Sequence, residues 1–455
     1  MKESIFDKLY PARKMDQIKR KSKTVTIDAR TFGGKSASFF DLNDHEVITN
    51  GYNTNPYVYS VVNRLANLSA SIPLKVVKIK DKKRSKQYQA KGWKQRVLIK
   101  LDKSDAFEDA TESDLAGLLQ RPNPQDGFIE FSRSFYINKL TTGNGYIDAL
   151  RHNDVRPPTE LWVLPPLSVT LNESSDFYNK IKEIYFNWGA TSKTIQPENF
   201  MHSYYYNPTG SVYGLSPLSA ARQAVTGIND GSAHNVAVLQ NGAKQEFVIL
   251  VADGTPEEDK EKIRKDWTER YTGPYNANKV IVTDEGFMKF EKLGYTMKDM
   301  DFANLQLSDM RKVYDVYGVN SESFNDPANK TMSNKRDAAR SMYVDRVIPE
   351  TDVFVDELNR WLTPMFGDKN LMIIADLSEV DALNDEEDKV YERLNNTHFL
   401  TPNQKLAIAG QEQSKDPAMD LVYLPANLIP IGGSSDDLNR ELMETYGLRN
   451  GVEKG

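Results

Sequence analysis

Two long helical patterns of apolar and polar residues lie in the middle of the chain, and the first covers residues 216–242. Ser216 can accept hydrogen bonds from the free N–H groups of the first turn, and Pro217 follows where a missing N–H does no harm. Gly242, after an asparagine, supplies the left-handed residue that commonly ends a helix. The pattern therefore predicts a rod about 38 Å long.

No continuous apolar stripe runs along this first helix, because Gly227, Gly231 and several polar residues interrupt it. A helix that is polar all round usually crosses solvent or packs against copies of itself. We therefore expect one of these two roles, with an ordinary surface helix of a large domain as the alternative.

The second long pattern covers residues 296–318 and predicts a rod about 32 Å long. Thr296, with an aspartate three residues later, is typical of a helix start, and Gly318 is typical of a helix end. The segment between the two rods, 243–295, predicts a strand, a helix and two further strands that are joined by a hairpin-type turn over Asp284–Gly286. The two rods are thus expected to carry a small βαββ module.

The residues before the first rod predict a mixed region of helices and strands over 45–215. Asn55 and Pro56 mark the start of an amphipathic helix, and a strand follows from Leu74. The polar, cationic segment 80–103 is expected to be a solvated loop.

Beyond the second rod, a turn-rich loop leads to a third long helix that Ser333 is expected to cap. Pro349 lies inside this pattern and would kink the helix, because proline removes one backbone hydrogen bond. A strand over 371–377 and a mainly helical C-terminal region follow.

Composition favours a folded protein of two or more regions, since the 455 residues include 22 Tyr and 19 Phe. Cysteine is absent, which excludes disulfides and thiolate metal sites. We find no apolar run of membrane-spanning length and no apolar core in the N-terminal segment, so we expect a soluble protein without a cleaved signal or a membrane partner.

Charge is unevenly distributed along the chain. Residues 1–35 hold ten Lys or Arg against four Asp or Glu, whereas residues 376–455 hold sixteen acids against seven bases. The net charge is −6. A protein that binds DNA tightly is more typically basic, because neutralisation of the phosphates supplies most of the non-specific affinity.

A search for catalytic motifs gives no candidate. The stretch "FGGKSAS" lacks the first glycine of a phosphate-binding loop, because Ala29 stands in its place. The five histidines do not pair at the spacing of metal ligands. We therefore predict no catalytic residue, no cofactor and no metal.

Several short segments occur in an order and spacing that are specific as a set, among them "NPYVYSVVNRLANLSASIPLKV", "LLQRPNP", "TTGNGYIDAL", "YGLSPLSAA" and "TMSNKRDAAR". With them, the chain resembles the siphovirus-type portal (head–tail connector) proteins of tailed bacteriophages over about residues 45–430. The resemblance implies an α+β portal-type fold and a ring, a dodecamer, through which double-stranded DNA enters and leaves the capsid.

The same resemblance implies a division of the chain. It assigns 1–44 to a flexible basic N-terminal arm, 45–215 to the wing, 216–242 to the first stem helix, 243–295 to the clip, 296–318 to the second stem helix, 319–332 to the tunnel loop, 333–379 to the kinked tunnel helix with a wing strand, and 380–455 to the crown and C-terminal tail. The implied partners are the large terminase, the head–tail adaptor, and the capsid and scaffold proteins. The implied location is the portal vertex of the virion, after assembly in the host cytoplasm.

Within that framework, a channel that passes DNA must not hold it by many ordered phosphate contacts. A few cations near the constriction suit this requirement. The candidate DNA contacts are Asn325, Asn329 and Lys330 in the loop, with Lys335, Arg336 and Arg340 on the following helix. Ion pairs between subunits are an equal alternative for the three helix residues.

Two other classes of function remain open. A smaller connector or adaptor ring would lack the two rods and the module between them. A DNA-processing enzyme would need the phosphate loop that the sequence does not contain.

Overall fold

The computed structural model describes residues 44–98, 106–152, 156–174, 176, 180–240, 247–250, 256–271, 289–292, 302–324, 326, 332–383, 391–409 and 413–423. Contacts divide the chain into residues 1–39 and residues 40–455, and every described residue belongs to the second unit. The predictions for the N-terminal arm, for Gly242, for Thr296 and for the hairpin turn over Asp284–Gly286 lie outside the described residues.

The described part of the chain contains both helices and strands, and six of the strands follow one another before the first long helix. After a helical turn (Asp44–Glu46) and a π-helical segment (Val47–Asn53), the helices are α1 Pro56–Ala70, α2 Lys82–Gln89, α3 Trp93–Leu98, α4 Asp114–Gln120, α5 Phe128–Thr142, α6 Leu218–Gln240, α7 Glu257–Tyr271, α8 Phe302–Val316, α9 Met332–Met342, α10 Ile348–Trp361 and α11 Pro402–Ile408. The strands are β1 Leu74–Ile79, β2 Phe107–Asp109, β3 Asn144–Leu150, β4 Glu160–Leu164, β5 Val169–Glu173, β6 Ile181–Trp188, β7 Thr191–Ile195, β8 Phe200–Tyr204, β9 Phe247–Leu250, β10 Lys289–Lys292 and β11 Leu371–Ala375.

Helix α1 shows how the sequence builds the main core. Its buried residues recur at helical spacing, at Val58, Val61, Val62 and Leu65, so that one face packs against helix α5. The side chain of Asn55 accepts hydrogen bonds from the first free N–H groups of the helix. The helix therefore begins where the sequence predicts it.

The strands form small antiparallel sheets. The orders are β11-β1-β2, β4-β3-β8, β5-β6-β7 and β10-β9. In the first sheet, Val76 lies opposite Ile373, so a strand from late in the chain completes a sheet that begins early in it. Strands β9 and β10 are the described pair of the predicted small module, and helix α7 lies between them in sequence.

The cationic segment 80–103 is not a loop where the structure describes it, and this prediction is wrong. It contains helices α2 and α3. Asp81 starts α2 by accepting hydrogen bonds from the N–H groups of Lys83 and Arg84, at 2.8 and 3.2 Å. Tyr88 is buried edge-on against Phe107, with ring centroids 5.2 Å apart. A single aromatic contact thus fixes a helix whose other residues are mostly polar.

Sequence patterns also missed two short strands, β2 and β7. Strand β7 has the sequence "TSKTI", in which only Ile195 is buried. It belongs to the sheet because its backbone pairs with β6. Pairing rather than apolar content defines this strand.

Gly143 joins the first part of the fold to helix α6. It ends α5 in the left-handed conformation, with φ of 83°. A Cβ built there would lie 2.6 Å from the carbonyl carbon of Leu215, three residues before the start of α6. Only glycine satisfies both the backbone angle and this close approach.

We predict that Gly143→Ala lowers the melting temperature more than Gly189→Ala does. Gly189 also has positive φ, 57°, but a Cβ there would meet nothing within 4 Å. The control, Gly189→Ala, therefore loses only the stability that it costs to hold alanine in the left-handed conformation, about 1–2 kcal/mol. Gly143→Ala adds the clash with Leu215. Thermal unfolding followed by circular dichroism measures both, and equal shifts would contradict the packing role of Gly143.

Candidate functional site

Helices α6 and α8 pack side by side along the chain's main core. The beginning of α6 is buried through Leu218, Val225 and Ile228, and the end of α8 through Val313 and Tyr314. Because the first half of one helix meets the second half of the other, the pair is antiparallel. This corrects the expectation that the first long helix is polar all round, since its first half carries a buried apolar face.

The described side chains in the other halves of both helices are exposed or half-buried. No described side chain of α6 after Ile228 is buried, and Val236 is 52 % exposed. On α8, Leu305 is 54 % exposed. A cavity of about 270 Å³ opens between these halves, lined in part by Gly231 and Leu305. Each helix is therefore anchored at one end and uncovered at the other.

Gly227 lets the two helices approach closely. A Cβ at this position would lie 2.8 Å from Oδ2 of Asp309 on helix α8. Asp309 is buried, and its other oxygen lies 2.8 Å from Nζ of Lys312. The glycine that breaks the apolar stripe in the sequence thus serves close packing between the helices.

Hydrogen bonds fix the start of helix α6. Ser216 Oγ accepts from the N–H of Leu218 at 3.1 Å and donates to the carbonyl of Thr141 at 2.6 Å. Pro217 lies between Ser216 and Leu218, and Leu218 is the first residue of the helix. The side chain of Ser216 therefore both starts α6 and ties it to the end of α5.

A neutral histidine supports the same junction. Asn144 Oδ1 accepts from the N–H of Gly214 at 2.6 Å and lies 3.0 Å from Nε2 of His202. Burial lowers the pKa of His202 to about 3, and the charge of Lys139 adds to this effect. The imidazole is therefore neutral near pH 7 and donates from Nε2 to the asparagine.

The segment after helix α8 is fixed against that helix. Gly318 has φ of 67°, and the ring of Phe324 stacks on Tyr314 with centroids 4.5 Å apart. Arg311 makes a two-pronged ion pair with Asp326, Nε to Oδ2 at 2.7 Å and Nη2 to Oδ1 at 3.0 Å. Hydrogen bonding to Asp326 raises the pKa of Arg311. The segment up to Asp326 is thus held on α8 by stacking and by a paired charge.

Helices α9 and α10 are joined by a π-helical turn, Tyr343–Val347. The N–H of Ile348 bonds to the carbonyl of Tyr343, five residues back. Pro349 lies in the first turn of α10, immediately after this wider turn. The regular α-helical bonding is therefore interrupted one residue before the proline that the sequence singles out.

A buried ion pair holds the start of helix α10. Lys139 Nζ on α5 lies 2.8 Å from Glu350 Oε1, and the two side chains are 2 % and 7 % exposed. Arg346 Nη2 lies 3.2 Å from Glu350 Oε2. Two cations therefore face one carboxylate in the protein interior.

Tyr205 completes this buried network. Its hydroxyl donates to Glu350 Oε2 at 3.0 Å and accepts from Arg346 Nη2 at 2.6 Å. The Nζ of Lys139 lies 5.2 Å from the centre of its ring. Burial raises the pKa of Tyr205 well above its usual value, and the charge of Glu350 acts in the same direction. The hydroxyl therefore stays protonated and keeps its role as a donor.

The structure describes only part of the predicted DNA-contact set. Asn325, Asn329 and Lys330 lie outside the described residues. Lys335 and Arg336 lie within helix α9, although their side chains are not described. Arg340 lies in the last turn of α9 and is half-buried. The assignment of these six residues stays a prediction.

Sequence reasoning missed the buried network and the pair of Arg311 and Asp326. One signal for the network is present, since Lys139 interrupts the buried face formed by Phe135, Tyr136 and Leu140. A lysine inside an apolar helix face requires a partner, because burying an unpaired charge is costly. No local pattern names that partner as Glu350.

Among the described residues, no group of three or more His, Cys, Asp or Glu could hold a metal ion. Within the same part of the chain, no helix combines the length and the apolar character needed to cross a membrane.

The fold is similar to that of chains in solved particle structures. A chain in the neck of a native gene transfer agent (GTA) particle is 23 % identical, with a TM-score of 0.58, and the match covers 84 % of this chain and 97 % of that one. A chain in the neck of an empty GTA particle is 23 % identical, with a TM-score of 0.59, covering 84 % and 96 % of the two chains. These matches identify the class of fold.

The sequence comparisons name the family. The family model described as "Phage portal protein" matches residues 56–410, and the chain belongs to this family. An uncharacterized protein of Rickettsia bellii (strain RML369-C) is 27 % identical over 399 residues, which is 84 % of this chain and 95 % of the relative. The resemblance read from the sequence motifs is confirmed.

We predict that Glu350→Ala destabilises the protein by about 3–5 kcal/mol, because it leaves Lys139 and Arg346 without their carboxylate in the interior. The control is Asp356→Ala, since Asp356 and Arg360 form an exposed pair on the same helix, 76 % and 71 % exposed. We expect almost no change for the control. Thermal and denaturant unfolding measure both variants, and equal losses would contradict a structural role of the buried pair.

Proposed function

We propose that the chain forms the ring-shaped portal of a phage-type particle, through which double-stranded DNA passes during packaging and ejection. The observation that carries this proposal is the helix pair α6 and α8, anchored at one end and uncovered at the other, in a chain of the phage portal protein family. Uncovered helix halves with exposed apolar residues suit lateral packing between copies.

A ring of twelve copies is our specific proposal. The neck of the native GTA particle, which contains a similar chain, was computed with C12 symmetry. A cyclic ring also follows when each copy contacts two neighbours through different surfaces and the rotation closes. Helices α6 and α8 would then be the stem that surrounds the opening.

The remaining regions take their proposed roles from this arrangement. Residues 45–215 with strand β11 form the wing toward the capsid and scaffold proteins, and pairing of β11 with β1 supports the grouping. Residues 243–295 form the clip, on which the large terminase and later the head–tail adaptor dock. Residues 319–332 form the tunnel loop, 333–363 the tunnel helix, and those from 380 the crown. Chemistry by this chain itself is not part of the proposal.

The charge of the predicted tunnel loop supports a role in DNA contact. Phe324 and Asp326, at the described start of this region, are held against α8. A few cations at such a point give contacts that are weak enough for passage. Lys330 is therefore the residue at which we test the function.

We predict that Lys330→Glu alters packaged genome length or DNA retention while the ring still assembles. Reversing this charge changes the interaction with phosphate. Lys182→Glu on strand β6 is the matched control, because Lys182 is exposed there. Particles assembled with each variant are compared by genome length on gels and by infectivity.

The result for Lys330→Glu has two clear outcomes. Changed genome length or retention with intact rings supports the loop as a DNA contact. Unchanged genome length and infectivity, equal to the Lys182→Glu control, would contradict it.

A further inference from the structure

Helix α2 and the residues around it present a set of exposed cations that the channel does not use. Within α2, Ser85 and Tyr88 are buried, and the opposite side of the helix carries Lys82, Lys83 and Lys86. Lys80, which is also exposed, precedes the helix, and Lys91, which is half-buried, follows it. We call Lys80, Lys82, Lys83, Lys86 and Lys91 the basic face.

The neighbouring acids are already engaged with other groups. Asp81 accepts hydrogen bonds from the backbone at the start of α2, which lower its pKa, and lies 3.8 Å from Arg84. Asp368 lies 3.2 Å from Lys78, and Asp352 lies 2.8 Å from Arg96. Within the described part of the chain, no ion pair joins Lys82, Lys83 or Lys86 to an acid. Apart from the charge interaction of Lys83 with Asp81, the described acids therefore leave the basic face without a neutralising carboxylate.

The packing beneath the basic face fixes helix α2 in place. Tyr88 packs in a small cluster with Val77, Phe107 and Ile374, which belong to strands β1, β2 and β11. Gln89 also donates to the sulfur of Met372 at 3.4 Å. The lysines are therefore displayed by a helix that is fixed on a sheet.

The chemistry of the basic face suits phosphate better than a protein surface. Among the described side chains from 80 to 97, no large hydrophobic residue is exposed. Protein interfaces usually have an apolar centre that is depleted of lysine. Lysine side chains act as mobile point charges, which suit a repeating phosphate backbone without reading its sequence.

We propose that the basic face binds the phosphate backbone of double-stranded DNA outside the channel. This proposal rests on the proposed function, because that function makes double-stranded DNA the polyanion that the protein encounters. DNA held here would lie along the wing and would not have to enter the ring. Contact through a few lysines gives weak binding that depends strongly on salt and not on sequence.

The experiment uses covalently closed circular DNA, which has no end to thread into an assembled ring. Binding of the assembled protein is measured by filter retention over a range of salt concentrations. The test variant is Lys82→Ala/Lys83→Ala/Lys86→Ala, since alanine keeps α2 helical. The control is Lys260→Ala/Lys262→Ala/Lys265→Ala on helix α7, where the three lysines are also exposed. Both variants lose the same charge.

We expect the α2 variant to bind circular DNA roughly tenfold more weakly near 0.1 M salt, with a slope of log affinity against log salt that is shallower by about 2.7, as the loss of three phosphate contacts requires. The control should match the unchanged protein. Equal binding by all three proteins, or an equal loss in both variants, would overturn the proposal. Because ring assembly and passage of linear DNA are measured separately, that result would leave the proposed channel untouched.

Discussion

Apolar side chains at one end of each long helix are buried in the main core, and this burial fixes the position of the helix halves beyond it. Leu218, Val225 and Ile228 on one helix and Val313 on the other are nearly inaccessible to solvent. Burial of a side chain of this size contributes about 1.5–3 kcal/mol. The anchored ends therefore hold two rods whose outer halves have no comparable cover within the described part of the chain.

Polar contacts then fix the direction in which helices α6 and α8 extend from the core. Gly143 permits the close approach of the chain before α6, and Ser216 ties the start of that helix to α5. The pair of Arg311 and Asp326 holds the segment after α8. Glu350, between Lys139 and Arg346, fixes the start of α10 beside the same core. Each contact joins a turn or a helix end to a neighbouring element.

Local signals in the sequence were sufficient for many of these elements. Asn55, Gly143 and Ser216 act through their own backbone neighbourhood, and the structure has helix starts or ends at each of them. Helix α2 was missed because its burial depends on Tyr88 meeting Phe107 across the sheet. The half-buried character of α6 was missed because its two glycines hide the apolar face.

Contacts between residues that are distant in sequence could not be predicted from either residue alone. Lys139 signals that a counter-charge is needed, but only the fold brings Glu350 to it. The same holds for Asn144, which meets both His202 and Gly214 at the foot of α6. The candidate DNA contacts near Lys330 came from family resemblance and charge, and they remain predictions.

We propose that the uncovered halves of α6 and α8 pack against the same helices of neighbouring copies around an opening. Cryo-electron microscopy of the assembled protein would show this packing. We expect a closed ring in which Val236 and Leu305 are covered by adjacent subunits. A protein that stays monomeric at every concentration, or a ring in which these two residues remain in solvent, would contradict it.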